Sequence, residues 1–417
     1  MIMSCDISEK PKIGKLHSWP TIKLIDVLET LETGTRPKGG AVGISDGIPS
    51  ISAEHMTGFG TFDFSTMRFV PEDFYNRMTR GHIQIGDVLI VKDGATTGKT
   101  CIVKEDFPFD KAVINEHVFL CRPNKDRILP EYLFYYLWGP YGQASMKSNF
   151  QGAAIGGINQ TFAQSMWISL PPLSEQKEIV SILDKKLMAL ERARTASLYR
   201  LNLAKELPKI FLRRIFSQDT INKWPLKRLH EVAILLPSKS IATDGDVKVK
   251  AITTACLTEL GFNAEGIKIA RMWSSDASLC TVTKNEVLVA RSNTEDLVGR
   301  VSIYKGAPPN IIASDLTIRI KVNSDMNPSY LAYFLSFLYQ SGYWKTHASG
   351  ASGSMKKITR HQLNNIKIPV PDNKIQELVA TRITQYMDNT LYLIKRIEDE
   401  LSTISCLPNV IIKNYLE

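Results

Sequence analysis

The chain has 417 residues, too many for one hydrophobic core and enough for two domains of about 150 residues with connectors. Its hydrophobic content of 44% and charged content of 22% are those of an ordinary folded protein, and no apolar run reaches the roughly 18 residues that span a bilayer. A net charge of +9 favours a polyanionic partner, nucleic acid before membrane, because neutralising phosphates releases counterions.

The start, Met1-Ile2-Met3-Ser4-Cys5-Asp6, lacks a signal-peptide layout, and the six cysteines lie scattered with no Cys-x-x-Cys pair. Both features point to a cytoplasmic protein with reduced thiols, no disulfide framework and no zinc site. The seven histidines show no ligand spacing, and no Ser/His/Asp or Cys/His set can be assembled. The expectation is a chain with no catalytic residues, no metal and no cofactor of its own.

In chain order the elements come twice, offset by about 200 residues. Each copy opens on Trp-Pro, Trp19-Pro20 and Trp224-Pro225, followed by a polar loop, Gly34 to Gly40 and Leu236 to Ser240. Ile51-Ser52-Ala53-Glu54-His55-Met56-Thr57 then matches Ile252-Thr253-Thr254-Ala255-Cys256-Leu257-Thr258. Short β-branched runs follow and predict strands: Asp87 to Val91 with Glu286 to Ala290, Cys101 to Val103 with Ser302 to Tyr304, His117 to Leu120 with Asp315 to Ile318. Pro130 and Pro328 each open an aromatic-rich helix, since proline suits the first helical turn. A glycine-rich loop (Gly152 to Gly157, Gly350 to Gly353) and a strand ending in Pro171-Pro172 or Pro369-Val370-Pro371 complete each unit.

A long helix follows each unit, with Ser174 and Asn373 as expected N-caps. The first carries Leu183, Leu187, Leu190, Arg194, Ser197, Leu201, Ala204, Pro208, Phe211 and Ile215 at alternating spacings of four and three; the second carries Met387, Thr390, Ile394, Ile397, Leu401, Ile404, Pro408, Ile411 and Tyr415. A helix of about 40 residues is roughly 60 Å long, and an apolar heptad stripe of that length needs a partner helix. The other copy supplies one, parallel or antiparallel, with Arg194 and Ser197 as polar insertions able to set register. The predicted fold class is therefore α+β, two pseudo-repeated domains and two long helices pairing as a coiled coil. The predicted boundaries are 1–173 and 218–372 for the domains, and 174–217 and 373–417 for the helices.

Two segments imitate enzyme motifs. Gly94-Ala95-Thr96-Thr97-Gly98-Lys99-Thr100 is one residue short of a phosphate-binding loop and runs into a predicted strand where a helix N-terminus is required. Asn327-Pro328-Ser329-Tyr330 is close to the Asn-Pro-Pro-Tyr of adenine amino-methyltransferases, but the first copy reads Leu129-Pro130-Glu131-Tyr132 and no glycine-rich cofactor turn precedes either. Neither is read as an enzyme site: the first is a turn able to face a cation, Lys99, towards a phosphate, and the second is a helix start.

At Leu170-Pro171-Pro172-Leu173-Ser174-Glu175-Gln176-Lys177-Glu178-Ile179-Val180 the chain resembles the specificity subunit of type I restriction-modification systems, where a proline-proline-leucine-x-glutamate-glutamine turn leads into a long helix. The resemblance covers essentially the whole chain, including the Trp-Pro openings, Gly86-Asp87-Val88-Leu89 and the Pro130/Tyr132/Leu133 helix. It departs at Pro371-Asp372-Asn373-Lys374-Ile375-Gln376-Glu377, which lacks the Glu-Gln turn and marks the second helix start as the place where symmetry is expected to fail. The resemblance implies that each domain reads one half of a bipartite, asymmetric site on double-stranded DNA, with the helices fixing the gap. It also implies two methyltransferase subunits and, through the complex, restriction subunits as partners, with S-adenosylmethionine, ATP and Mg bound on those chains. Pro171, Pro172, Glu175, Gln176, Leu187, Leu190, Leu201, Ile394 and Leu401 are the expected helix and partner interface.

Phosphates and base edges are contacted mostly by Lys, Arg, Asn, Gln, Ser and Thr on loops. The expected DNA-binding residues are Thr35, Arg36, Lys38, Lys92, Lys99, Asn159 and Gln160 in the first copy. In the second they are Ser238, Lys239, Arg291, Arg300, Lys356, Lys357 and Arg360. The alternatives are a nucleic-acid- or protein-binding scaffold outside restriction-modification, and an enzyme using the Gly98-Lys99-Thr100 loop.

Overall fold

The computed structural model describes residues 19–40, 43–151, 156–350 and 355–416; positions 152–155 and 351–354 of the two glycine-rich loops lie outside them. Two compact units form, one from the chain up to Ala196 together with Leu401–Glu417, the other from Ser197–Glu400. This division cuts across the chain-order boundaries at 173, 217 and 372, because each unit takes part of both long helices.

In the first unit an antiparallel sheet is ordered Leu28–Thr33, Val118–Pro123, Val88–Val91, Thr100–Ile102. The second unit repeats that order with Ala233–Leu235, Thr317–Val322, Val287–Ala290 and Val301–Ile303. The central strands read as unbroken apolar runs because both faces are covered. Val88 and Ile90 enter one core with the Pro130–Trp138 helix, while Leu89 and Val91 enter another, as the period of two requires. Val287 and Val289 are likewise separated from Leu288 and Ala290.

A smaller sheet flanks each large one: Phe69–Val70, Ile48–Ile51, Val113–Ile114 in the first unit and Lys268–Met272, Val247–Ile252, Ile311–Ala313 in the second. Finally Thr21–Lys23 pairs with Trp167–Ser169, and Leu226–Arg228 with Lys367–Pro369, which delivers the chain to the prolines before each long helix.

The long helices are Leu173–Ile215 and Asn373–Leu416, each about 65 Å at 1.5 Å per residue. Neither cap is the expected one. Ser174 lies inside the first turn, and the second helix is capped by Asp372, whose Oδ1 accepts the N–H of Ile375 at 2.9 Å. In the second unit Ser197 Oγ donates to Glu400 Oε1 at 2.9 Å, while Phe211 stacks on Tyr386 with centroids 3.9 Å apart. One number falls as the other rises, so the pairing is antiparallel. Lys186 over the Tyr415 ring at 5.7 Å shows the same sense in the first unit.

The heptad stripe is buried as its spacing predicts at Leu183, Ser197, Leu201, Ala204, Met387, Thr390, Ile394, Ile397 and Ile404. Past Pro208 and Pro408 the buried positions move on by one residue, to Leu212 and Phe216 and to Ile412 and Leu416, leaving Phe211, Ile215, Ile411 and Tyr415 half-buried. An α-helix drifts about 20° per heptad from a 3.5-residue repeat, so five heptads add up to about one residue. Ser197 faces the other long helix through its bond to Glu400. Arg194 instead covers Phe59 of its own domain, with Cζ 4.1 Å from the ring centroid.

Candidate nucleic-acid interface

Four segments meet at one end of the large sheet in the first unit. They are the loop after Thr33, the residues after Val91, the turn before Val118, and the stretch 156–161. The first leaves so close to the third that a Cβ on Gly34 would lie 1.8 Å from the Ile114 carbonyl oxygen, so only glycine fits there. Arg36 then pairs with Glu116 at 3.1 Å, and Lys38 is exposed. Asp93 lies between Lys92, at 3.8 Å, and His117 Nδ1, at 2.6 Å. The N–H of Ile158 donates to the Lys92 carbonyl at 2.8 Å, bringing Asn159 and Gln160 to the same end. Asn159 Oδ1 accepts from the N–H of Thr161, and Gln160 Nε2 reaches the Leu31 carbonyl at 3.4 Å. Thr35, Arg36, Lys38, Lys92, Asn159 and Gln160 therefore share one surface.

The second unit builds the same surface from different side chains. Ile358 N–H donates to the Arg291 carbonyl at 2.8 Å, as Ile158 does to Lys92, and Lys357 pairs with Ser292 across a two-residue ladder. Arg360 stands where Gln160 stands and donates to the Leu235 and Leu236 carbonyls at 2.6 and 3.0 Å. Arg291 Nη1 donates to the Asp315 carbonyl at 3.3 Å, while its buried Nε has no partner. Arg360 is held below the ordinary guanidinium value, first by burial and then by the charge of Arg291. Two cations thus sit together with charge to spare. Lys239, beside Ser238 on the adjoining loop, pairs with Asp276 at 3.5 Å.

Two expected residues are turned elsewhere. Lys99 Nζ donates to the Met56 carbonyl at 2.9 Å, and Arg300 Nε donates to the Tyr339 hydroxyl at 3.0 Å. The loop around Lys99 continues into the strand Thr100–Ile102, so no helix N-terminus stands behind it to hold a nucleotide. Asn327 caps the helix Pro328–Gln340 by accepting from the N–H groups of Ser329 and Tyr330, and Tyr330 is buried with its hydroxyl on the Pro369 carbonyl at 2.7 Å. That motif is a helix start.

The helix starts are anchored inside their own domains. Gln176 is fully buried: its Oε1 accepts from Leu129 N–H at 2.8 Å, and its Nε2 donates to the Arg127 and Pro171 carbonyls at 3.0 and 2.8 Å. Pro171 is also buried, so neither offers a surface to a partner; Pro172 is exposed, and Glu175 accepts from Trp19 Nε1 at 2.9 Å. Gln376 makes the same bonds, with Asn327 N–H at 2.8 Å and the Asp325 and Pro371 carbonyls at 3.1 and 2.9 Å. Symmetry does not fail at the second helix start; only the glutamate, replaced by Ile375, is lost. Leu201 and Ile394 are buried in the heptad stripe, Leu401 is half-buried in it, and Leu187 and Leu190 line a cleft of about 850 Å³ in the first unit.

Sequence reasoning missed an ion pair common to both units. Arg122 binds Asp87 through Nε and Nη2, both at 2.8 Å, and Arg319 binds Glu286 at 2.8 and 2.9 Å from the equivalent strands. The carboxylates also accept the N–H of Gln84 and of Thr283, fixing the turn that starts the central strand. The Gly86-Asp87 and Asn285-Glu286 dipeptides carried a trace of this, since Gly86 and Asn285 both take positive φ, +95° and +70°.

A repeated α+β unit ending in a long helix, with loops gathered at one sheet end, defines a two-domain protein built as an internal duplication. The sequence pattern of the family described as type I restriction modification DNA specificity domain matches twice, over residues 17–200 and 221–403. The chain belongs to that family, and its role is in DNA sequence specificity. It is 26% identical to a putative type I restriction enzyme MjaX specificity subunit of Methanocaldococcus jannaschii over 416 residues, covering 94% of this chain and 92% of that one. The MjaVIII specificity subunit of the same organism is 25% identical over 337 residues, or 75% of each chain. In fold the chain is similar to one from a structure described as the basis of complex assembly and conformational transition of the type I R-M system, with TM-score 0.73, 16% identity, and 95% and 97% of the two chains covered. The HsdS subunit from Thermoanaerobacter tengcongensis gives TM-score 0.58 at 16% identity, over 95% and 96%.

Proposed function

We propose that this chain is the sequence-reading subunit of a type I restriction-modification complex in the cytoplasm. Each domain reads one half of a bipartite, asymmetric DNA site through the loops at its sheet end, and the paired helices set the spacer and dock two methyltransferase subunits. Methyl transfer and ATP-coupled cleavage then belong to methyltransferase and restriction subunits, which carry S-adenosylmethionine, ATP and Mg. One observation carries this reading: the two units present the same four loops on the same sheet with different side chains, Lys92, Asp93 and Gln160 against Arg291, Ser292 and Arg360. A common frame with divergent tips is what two unlike half-sites require.

The test is to co-express the chain with a type I methyltransferase subunit and map N6-methyladenine in the host genome. A new bipartite motif supports the reading, whereas a stable complex with no motif sinks it. The ruler role has its own test. Removing one heptad from each of two facing segments, residues 198–204 and 393–399, shortens the pair by about 10 Å, or about three base pairs. The spacer should change while both half-sites persist.

A further inference from the structure

The strand Val247–Ile252 and its antiparallel neighbour Lys268–Met272 form a ribbon of five residue pairs. Val249 and Ala251 pack inward with Met272 and Cys280, so alternation puts Lys248 and Lys250 on the exposed face. Directly opposite them stand Arg271 and Ile269, both exposed. Arg271 is fixed by its Nε bond to the Gly245 carbonyl at 2.8 Å. None of the ion pairs among the described residues involves Lys248, Lys250 or Arg271. Like charges directly across a ladder weaken it.

The ribbon continues the loop surface of the second unit. The chain runs from Ser238 and Lys239 to Ala242, whose N–H donates to the Arg271 carbonyl at 3.1 Å. Among its described residues the first unit has no equivalent. Its ribbon has only two pairs, Ile48 with Val70 and Pro49 with Phe69, and the nearby Arg68 is paired with Glu54 at 2.5 Å.

We infer that the Lys248/Lys250/Arg271 face is a phosphate-gripping surface for duplex DNA, indifferent to sequence and without a counterpart among the described residues of the first domain. The inference rests on the DNA-binding reading above and adds a division of labour. The loop tips read bases, and the ribbon supplies counterion-releasing affinity beside the second half-site only. Lysine on a rigid strand suits this, being a point charge without the planar fork that reads a base edge.

The test uses Lys248→Gln/Lys250→Gln in the full chain, co-purified with a type I methyltransferase subunit. Binding is measured to the mapped site and to a duplex lacking both half-sites, across a salt series. The double variant should lower the slope of log affinity against log salt by about two, with the same fold-loss on both duplexes. Its melting temperature should hold or rise, because a repulsion has been removed. An unchanged slope overturns the inference, as does a changed motif in the second half-site, which would make the ribbon a base reader. A lower melting temperature with unchanged binding also overturns it, since the lysines would then serve the fold. Failure of the whole reading looks different: the unmutated complex would show no preference between the two duplexes.

Discussion

Gln376 holds the N–H of Asn327 at 2.8 Å in the second copy, as Gln176 holds that of Leu129 in the first. Each amide ties the start of a long helix to the residue that opens the aromatic helix of its own domain. Because both amides are fully buried, truncation leaves an N–H and two carbonyls without partners. Gln376→Ala should cost about 2–4 kcal/mol in denaturant unfolding of the second unit, while Ile375→Glu should cost less than about 1 kcal/mol. Equal effects would mean that the glutamine is not the anchor.

Arg319 and Glu286 are the most enclosed ion pair among the described residues, with side chains 4% and 2% exposed. Arg319→Met leaves a buried carboxylate without its partner and should lower stability by about 3–5 kcal/mol. Replacing both residues by methionine should cost less than either single change. A double-mutant cycle on unfolding free energies checks the non-additivity.

His55 gives the first unit an acid sensitivity. The ring is fully buried, its Nδ1 accepts the N–H of Ser52 at 3.0 Å, and burial holds its pKa below the ordinary 6.5. The unfolded chain therefore takes up a proton near pH 6.5 while the folded one does not. Stability present above that pH is lost as pH falls toward the folded pKa, by up to about 1.4 kcal/mol per pH unit. The second copy places Cys256 here, a thiol that burial pushes up and out of this range. His55→Cys should flatten the loss between pH 7 and pH 5, read as the difference in denaturation midpoints between the two proteins.

Lys92 and Lys99 look alike in the sequence and should behave differently. Lys99→Ala removes the bond to the Met56 carbonyl and should cost about 1 kcal/mol of stability with little effect on DNA affinity. Lys92→Ala lies on the loop surface and should do the reverse. Fluorescence anisotropy on the mapped site, alongside thermal unfolding, separates the two.

What could be read from the chain was what is encoded locally. The heptads of the long helices and the β-branched run at Val88–Val91 announce their elements because period and composition act over a few residues. Asp87 and Arg122 gave no such signal: 35 residues separate them, and only the register of Val88 opposite Cys121 brings them together. The motif at Glu175-Gln176 misled for a related reason. Its glutamate draws attention, yet the glutamine does the anchoring and survives alone at Gln376. The alternation in Val247-Lys248-Val249-Lys250 was visible, but its significance depends on Arg271 opposite, which pairing alone reveals.

The division of each long helix between the two units has a consequence for how the protein is made. Ile412 and Leu416, 1% and 2% exposed, belong to the same core as Val88 and Leu133. The earlier of the two domains is thus completed only after the later one has been made, when the turns around Ile412 and Leu416 emerge. Until those turns emerge, its core stays open on one side, and a chain stopped before Pro408 would release that domain unfinished.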